Sequence, residues 1–189
     1  MHTIWTGQRV RLRPFKDDKE WFELHDAEHL VPNDFWGAWW TSRQELKKDF
    51  EPAGMLSTNK YSVFAIERLD TGELVGYEEH GAPKPGKLTA WVGTFILPEH
   101  WHKGFGIEAK QLCYCYLFES YPVLSVESAT LSCHKRAARG LHNSGMSFEG
   151  RCQAFHYRDG VFHDLVCYRI TREQWERHPI RNVVQRGLI

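Results

Sequence analysis

The stretch that most constrains this chain is Pro98 to Lys110, "PEHWHKGFGIEAK". Gly104 and Gly106 stand right after an apolar run and right before a helical pattern. Two glycines in the first turn of a helix cost about 1 kcal/mol each relative to alanine. A strand, a glycine turn and a helix together present unpaired N–H groups and the positive end of a helix dipole to an anion. Side chains on that turn would hold a phosphate away. Gly104 and Gly106 let it reach the backbone, and Lys103 adds a charge. The physical expectation is a ligand that carries a pyrophosphate.

Several phosphate and nucleic-acid motifs share part of this pattern. A Walker loop needs Gly-Lys-Ser/Thr, which is absent. In a G-x-G-x-x-G dinucleotide fingerprint the third glycine would fall at Ala109, and the strand should open a parallel βαβ unit near the chain's start. Here a hairpin precedes it. "KGFGIEAK" also grazes an RNA-recognition signature, but the stacking aromatics would have to stand at Ile107 and Lys110. Lys plus Arg and Asp plus Glu both count 24. That neutral balance does not point to a nucleic-acid or membrane partner.

The rest of the chain supplies a sheet. "RVRLRPF" reads as a first strand from Arg9 to Phe15, followed by loose helical spacing in "DDKEWFELHDAEHL". Ser42 and Glu45 form a capping box before a helix over Arg43 to Phe50. Two β-rich runs around Asp70-Thr71-Gly72 read as a hairpin, and "LTAWVGTFIL" is a third antiparallel member. "FGIEAKQLCYCYLFES" keeps helical spacing. "VLSVESATLS" is a strand, and "KRAARGLHNSGM" is a short helix ended by Gly145. A second hairpin turns at Arg158-Asp159-Gly160, and Thr171 with Gln174 caps a closing helix. The expected class is α/β (α+β): one domain with a twisted, mixed, mostly antiparallel sheet of about seven strands and helices on both faces.

The 189 residues suit one domain. No run has the length of a membrane span, and the N-terminus lacks a signal peptide's apolar core. The reading is a cytoplasmic protein whose five cysteines are reduced. Cys113 and Cys115 fall on nearly opposite helix faces, so no metal site is expected there.

The segment "WVGTFILPEHWHKGFGIEAKQL" resembles the strand–loop–helix signature of the GNAT N-acetyltransferase superfamily, written Q/R-x-x-G-x-G/A. Within it the chain looks like the RimJ/RimL-like branch, which acetylates N-terminal amines of ribosomal proteins. "VRLRPFKDDKEW", "ERLDTGELVGY" and "GRCQAFHYRDGVFHDLVCYRITREQW" carry the resemblance along residues 1–178 and leave 179–189 as a C-terminal tail. It implies acetyl-CoA as acyl donor and an amine acceptor, either a protein N-terminus or a small molecule. A homodimer stays open.

The resemblance also assigns residues. Backbone groups of Phe95, Ile96 and Leu97 would pair with the pantetheine amides. The N–H groups of His102, Lys103, Gly104, Phe105, Gly106 and Ile107 would hold the pyrophosphate. Trp101 stands at the motif's Gln/Arg position. Of the branch's N-x-x-S-x-R, Arg139 matches, His134 replaces Asn and Ala137 replaces Ser. The usual acids, that Ser or a Tyr at Leu141, are missing, and the usual basic Glu is Trp91. His134 is a candidate both for the Asn's role of steadying the pantetheine or thiol end and for the substitute acid, beside the reading in which it only packs against the cofactor. The remaining bases are Glu78, Glu79, His80, Glu99 and His100. Glu78 and Glu79 point to opposite faces, and Glu79 is the choice. The aromatic segment "NDFWGAWW" lies where the acceptor site would be walled. The altered acid and base positions also suit a CoA-binding module that senses rather than catalyses.

Overall fold

The computed structural model describes residues 3–31, 42–50, 55–56, 61–81, 88–158 and 160–188. The segment "NDFWGAWW" and Asp159 lie outside the described residues. In chain order the elements are β1 (Thr3–Thr6), β2 (Val10–Arg13), α1 (Asp18–Leu30), α2 (Arg43–Phe50), β3 (Tyr61–Arg68), β4 (Leu74–Gly81) and β5 (Thr89–Ile96). Then follow α3 (Phe105–Ser120), β6 (Ser125–Leu131), α4 (Lys135–Asn143), β7 (Ser147–Arg158), β8 (Val161–Thr171), α5 (Arg172–Glu176) and β9 (Gln185–Leu188).

The strands form one sheet in the order β7-β8-β6-β5-β4-β3-β2-β1-β9. The β5–β6 pair is parallel and the other paired neighbours are antiparallel. This is the expected mixed, mostly antiparallel sheet, but it has nine strands rather than about seven. The two additions lie at one edge. β1 is a four-residue strand in a segment too short to show alternation, and β9 pairs with it from Thr6↔Gln185 to Thr3↔Leu188. The tail expected outside the domain therefore carries the sheet's last strand.

Alternation along β3 divides the core. Phe64 and Ile66 pack in a cluster with Val75, Val92 and the buried side of α3. Val63 and Ala65 pack with Tyr77, Trp21 and Leu24 of α1, and Leu46 of α2. Helices thus cover both faces, as a sheet apolar on both sides requires. Local signals hold at the ends. Asp17 caps α1 by accepting from the N–H groups of Lys19 and Glu20. Ser42 accepts from the Glu45 N–H at 3.2 Å before α2. Thr171 and Gln174 complete a reciprocal capping box on α5. Cys113 and Cys115 are buried and free.

The one parallel pair is short. β5 and β6 are in register from Thr89↔Ser125 to Trp91↔Glu127. Beyond Trp91, β5 stays on β4 as far as Gly76↔Ile96, while β6 runs on with β8 as far as Leu131↔Leu165. The sheet opens there into a fork, with β5 and the loop into α3 on one side, and β6 and the start of α4 on the other.

Candidate active site

Ladder geometry decides which β5 groups face the fork. Leu97 N–H donates to Val75 O across β4 at 3.0 Å. Antiparallel pairs alternate, so Phe95 and Gly93 also direct their backbone groups at β4. Val92, Thr94 and Ile96 direct theirs into the fork. Two side-chain bonds agree: Ser128 Oγ donates to Val92 O at 2.9 Å, and Trp101 Nε1 donates to Ile96 O at 2.7 Å. Of the three residues expected to pair with pantetheine, Ile96 alone is turned the right way. Thr94 is its partner on that edge. Phe95 and Leu97 instead place side chains against the α1/α2 cluster.

The glycine loop lies at the fork's mouth. Gly104 has φ +80° and is the N-cap of α3. His102, two residues earlier, has φ +62°. The Glu108 N–H closes the first helical turn on Gly104 O at 3.2 Å. The N–H groups of Phe105, Gly106 and Ile107 therefore have no intrahelical acceptor. The two glycines differ in role. A Cβ on Gly104 would lie 2.8 Å from Arg9 Nη2, and its φ suits glycine in any case. A Cβ on Gly106 would lie 3.1 Å from Ile96 Cγ1, so Gly106 lets α3 approach β5 closely. Lys103 is exposed. Arg9 and Glu108 fix the loop from behind. Arg9 Nη1 donates to Lys103 O at 2.7 Å, and its Nε donates to Glu108 Oε2 at 3.0 Å. These partners are 94 and 99 residues apart, so no local pattern announces them.

On the far side, His134 is the N-cap of α4. Its Nδ1 lies 3.5 Å from Thr130 Oγ1, and its Nε2 lies 3.5 Å from Arg136 Nη2. Arg139 is exposed on α4, and Leu141 is buried in the core.

The five candidate bases separate. Glu78 is fully buried under α3, where it accepts from Thr94 Oγ1 and lies 3.5 Å from Lys110 Nζ. Burial raises its pKa to about 7 against the pull of Lys110 and Thr94. His80 is buried on the same face between Phe64 and Tyr116, and burial lowers its pKa to about 4. His100 is buried, its Nε2 3.3 Å from Glu73 Oε1 beside the first hairpin turn, and Glu99 is exposed. None of these four is turned to the α1/α2 face at the fork.

Glu79 is. It pairs with Gly93 in the β4–β5 ladder, two residues past the last β5–β6 pair, and is half-buried. Burial first, and then the Glu28 carboxylate on α1, raise its pKa to about 7. Glu28 is fixed by Tyr77, whose hydroxyl donates to Oε2 at 2.7 Å. Trp91, 42% exposed, shares this face, its indole lying over Gly81. Glu28 was not anticipated. It is a surface-type residue at a helix end, and its link to β4 spans 49 residues.

A family model described as the acetyltransferase (GNAT) domain matches residues 9–147. An uncharacterized N-acetyltransferase, YoaA of Bacillus subtilis, is 28% identical over 109 residues, which is 58% of this chain and 62% of that protein. The match thus spans less than two thirds of the relative's length. Among solved structures, a spermidine N-acetyltransferase of Vibrio cholerae in complex with CoA and spermine superposes with a TM-score of 0.76 at 18% identity, covering 89% of this chain and 98% of that one. A RimL ribosomal alpha-N-protein acetyltransferase in complex with coenzyme A gives 0.72 at 16% identity, covering 87% and 94%. A GNAT-family acetyltransferase of Bacillus anthracis gives 0.73 at 18%, covering 90% and 99%. At these identities the structures share a fold, and the family match covers most of the sequence. The chain belongs to the GNAT acetyltransferase family.

Proposed function

We propose that this protein transfers the acetyl group of acetyl-CoA to a primary amine by direct attack. The observation that carries the reading is the fork. Thr94 and Ile96 offer backbone groups along an edge left by β6, and the unpaired N–H groups at the start of α3 stand at its mouth. The first suits an amide-bearing pantetheine arm, the second a pyrophosphate. In this reading Glu79 is the base. An amine is mostly protonated at neutral pH, and a carboxylate with a pKa near 7 is poised to take its proton, directly or through water. The edge N–H groups are donors for the oxyanion that develops on the thioester carbonyl.

The acceptor is a cation before it reacts. Glu79, Glu28 and Trp91 on one face suit an ammonium, the first two by charge and the third by its ring. Two acceptor classes have support. The resemblance to the RimJ/RimL-like branch favours a protein N-terminus. The second carboxylate at Glu28 favours a polyamine, the class bound by the Vibrio protein. The sensing alternative draws on Ala137 and Leu141, which leave the thiolate without the family's usual acid.

Thiol release from acetyl-CoA, followed across peptide N-termini, polyamines and aminoglycosides, tests the proposal. Turnover with at least one amine supports it. CoA binding with no turnover on any of them would make the protein a sensor.

A further inference from the structure

A chain of side-chain contacts crosses the fork. On β5, Ile96 O accepts from Trp101 Nε1 at 2.7 Å. The Arg136 guanidinium carbon lies 3.3 Å from the centroid of the Trp101 ring. Arg136 Nη2 lies 3.5 Å from His134 Nε2, and His134 Nδ1 lies 3.5 Å from Thr130 Oγ1 on β6. Two strands that part after Trp91↔Glu127 are thus rejoined by a strap of side chains from the glycine loop and α4.

The strap occupies groups that a ligand in the fork needs. Ile96 O is one of four polar backbone groups that Thr94 and Ile96 turn to the open edge, and the indole N–H already holds it. His134 Nε2 faces a guanidinium, which can only donate, so this 3.5 Å contact suits that nitrogen as an acceptor rather than as a donor.

We propose that Trp101 is a placeholder for a pantetheine amide, and that Arg136 passes from Trp101 and His134 to the cofactor's phosphates when CoA enters. The proposal rests on the CoA-site reading above. Trp101 gives up Ile96 O to the ligand. Arg136, released from the indole beside His102–Gly104, moves onto a phosphate at the loop. His134 Nε2 is then clear of the guanidinium. Binding and the availability of His134 are coupled through one arginine. The closed strap also lowers apparent affinity by the fraction of molecules in which the fork is open.

Two variants and two ligands test this. W101F keeps a ring for Arg136 and removes the indole N–H. It should bind CoA about three- to tenfold tighter, the range of one net hydrogen bond, and bind phosphate-free pantetheine tighter as well. R136A is a change at an exposed helix position. It should bind pantetheine tighter and CoA more weakly, because the strap and the phosphate contact are lost together. Calorimetry for CoA and ligand-observed NMR for pantetheine, on variants with wild-type circular dichroism, give the readouts. Wild-type protein that does not bind CoA would overturn the underlying site reading. CoA binding that W101F leaves unchanged or weakens would overturn the placeholder, making Trp101 a fixed wall. Tighter CoA binding by R136A would overturn the transfer to phosphate.

Discussion

Glu79 lies directly over Gly93: a Cβ at position 93 would sit 2.5 Å from the carboxylate Oε1. The glycine therefore leaves the room that the carboxylate fills, at the point where the sheet opens. The atoms that would have to give way are Oε1 and, at 2.9 Å, Cγ of the same side chain, which can turn to another rotamer. Gly93→Ala is thus expected to fold at near wild-type stability while displacing Glu79. Steady-state kinetics on a folded Gly93→Ala protein should show kcat lowered about tenfold or more, and Glu79→Gln should cost about 10²-fold or more, the range of a general base. Wild-type kcat in either variant would remove Glu79 from the chemistry.

The pH dependence follows from the same residue. A base acts when deprotonated, so activity should rise with pH through about 7, the raised value of Glu79. Glu28 contributes to that rise through its negative charge. Glu28→Gln should therefore move the acid limb of the kcat profile to lower pH. An unmoved limb would mean that a different group titrates.

The phosphate loop gives a binding prediction. Gly104 sits at φ +80° with Arg9 behind it. Gly104→Val should weaken CoA binding at least tenfold, about 1.4 kcal/mol, with the sheet intact. Isothermal calorimetry on a variant of unchanged circular dichroism is the check, and equal affinity would remove the loop from the site. The same measurement on Gly106→Ala also reads packing, since its Cβ would press on Ile96 Cγ1 at 3.1 Å.

His134 stands where the branch has Asn. As the proton source for the departing thiolate, its change to Asn should lower kcat by about 10²-fold with CoA affinity kept within about threefold. A kcat near wild type would show that the substitution merely restores the family's residue and that the acid lies elsewhere.

His80 predicts part of the acid stability. Burial holds its pKa at about 4 in the fold, against 6.5 as the ordinary value. The unfolded chain therefore binds the extra proton between those values. The stabilising contribution is fully present above pH 6.5 and is lost as pH falls toward 4, on the order of 3 kcal/mol. Glu78 and Glu79 act in the opposite sense. Their raised values favour the fold at low pH, and that contribution is lost as pH rises toward 7. Denaturant melts of His80→Leu against wild type isolate the histidine. The variant should lose less stability between pH 6.5 and 4, and parallel curves would contradict the assignment.

Much of this was legible in the chain, and what was not has a common physical cause. The glycine turn, the hairpin at Asp70–Gly72 and the α5 capping box are local, set by residues within about four positions of one another, and they stand where expected. The direction of the β5 backbone groups is not local. It depends on how Leu97 registers with Val75, which turns the backbone groups of Phe95 and Leu97 to β4 and those of Thr94 and Ile96 to the open edge. Gly106 showed a helix-start anomaly, but nothing in sequence separates room for phosphate from room for a strand. Arg9–Glu108, Tyr77–Glu28 and Trp101–Arg136 join segments brought together only by the sheet. Strand alternation put Glu78 and Glu79 on opposite faces without saying which one faces the fork, and the face each occupies follows from the helix packed against it.

The most direct test of acetyl transfer is the mass of the acceptor itself. The protein is incubated with acetyl-CoA and the amine that releases most thiol in the panel, and the amine is analysed by mass spectrometry against free CoA produced. One acetyl group should be gained on the amine for each thiol released, with both signals lost together in Glu79→Gln. Thiol release with an unmodified amine would mean that water is the acceptor and would contradict the account.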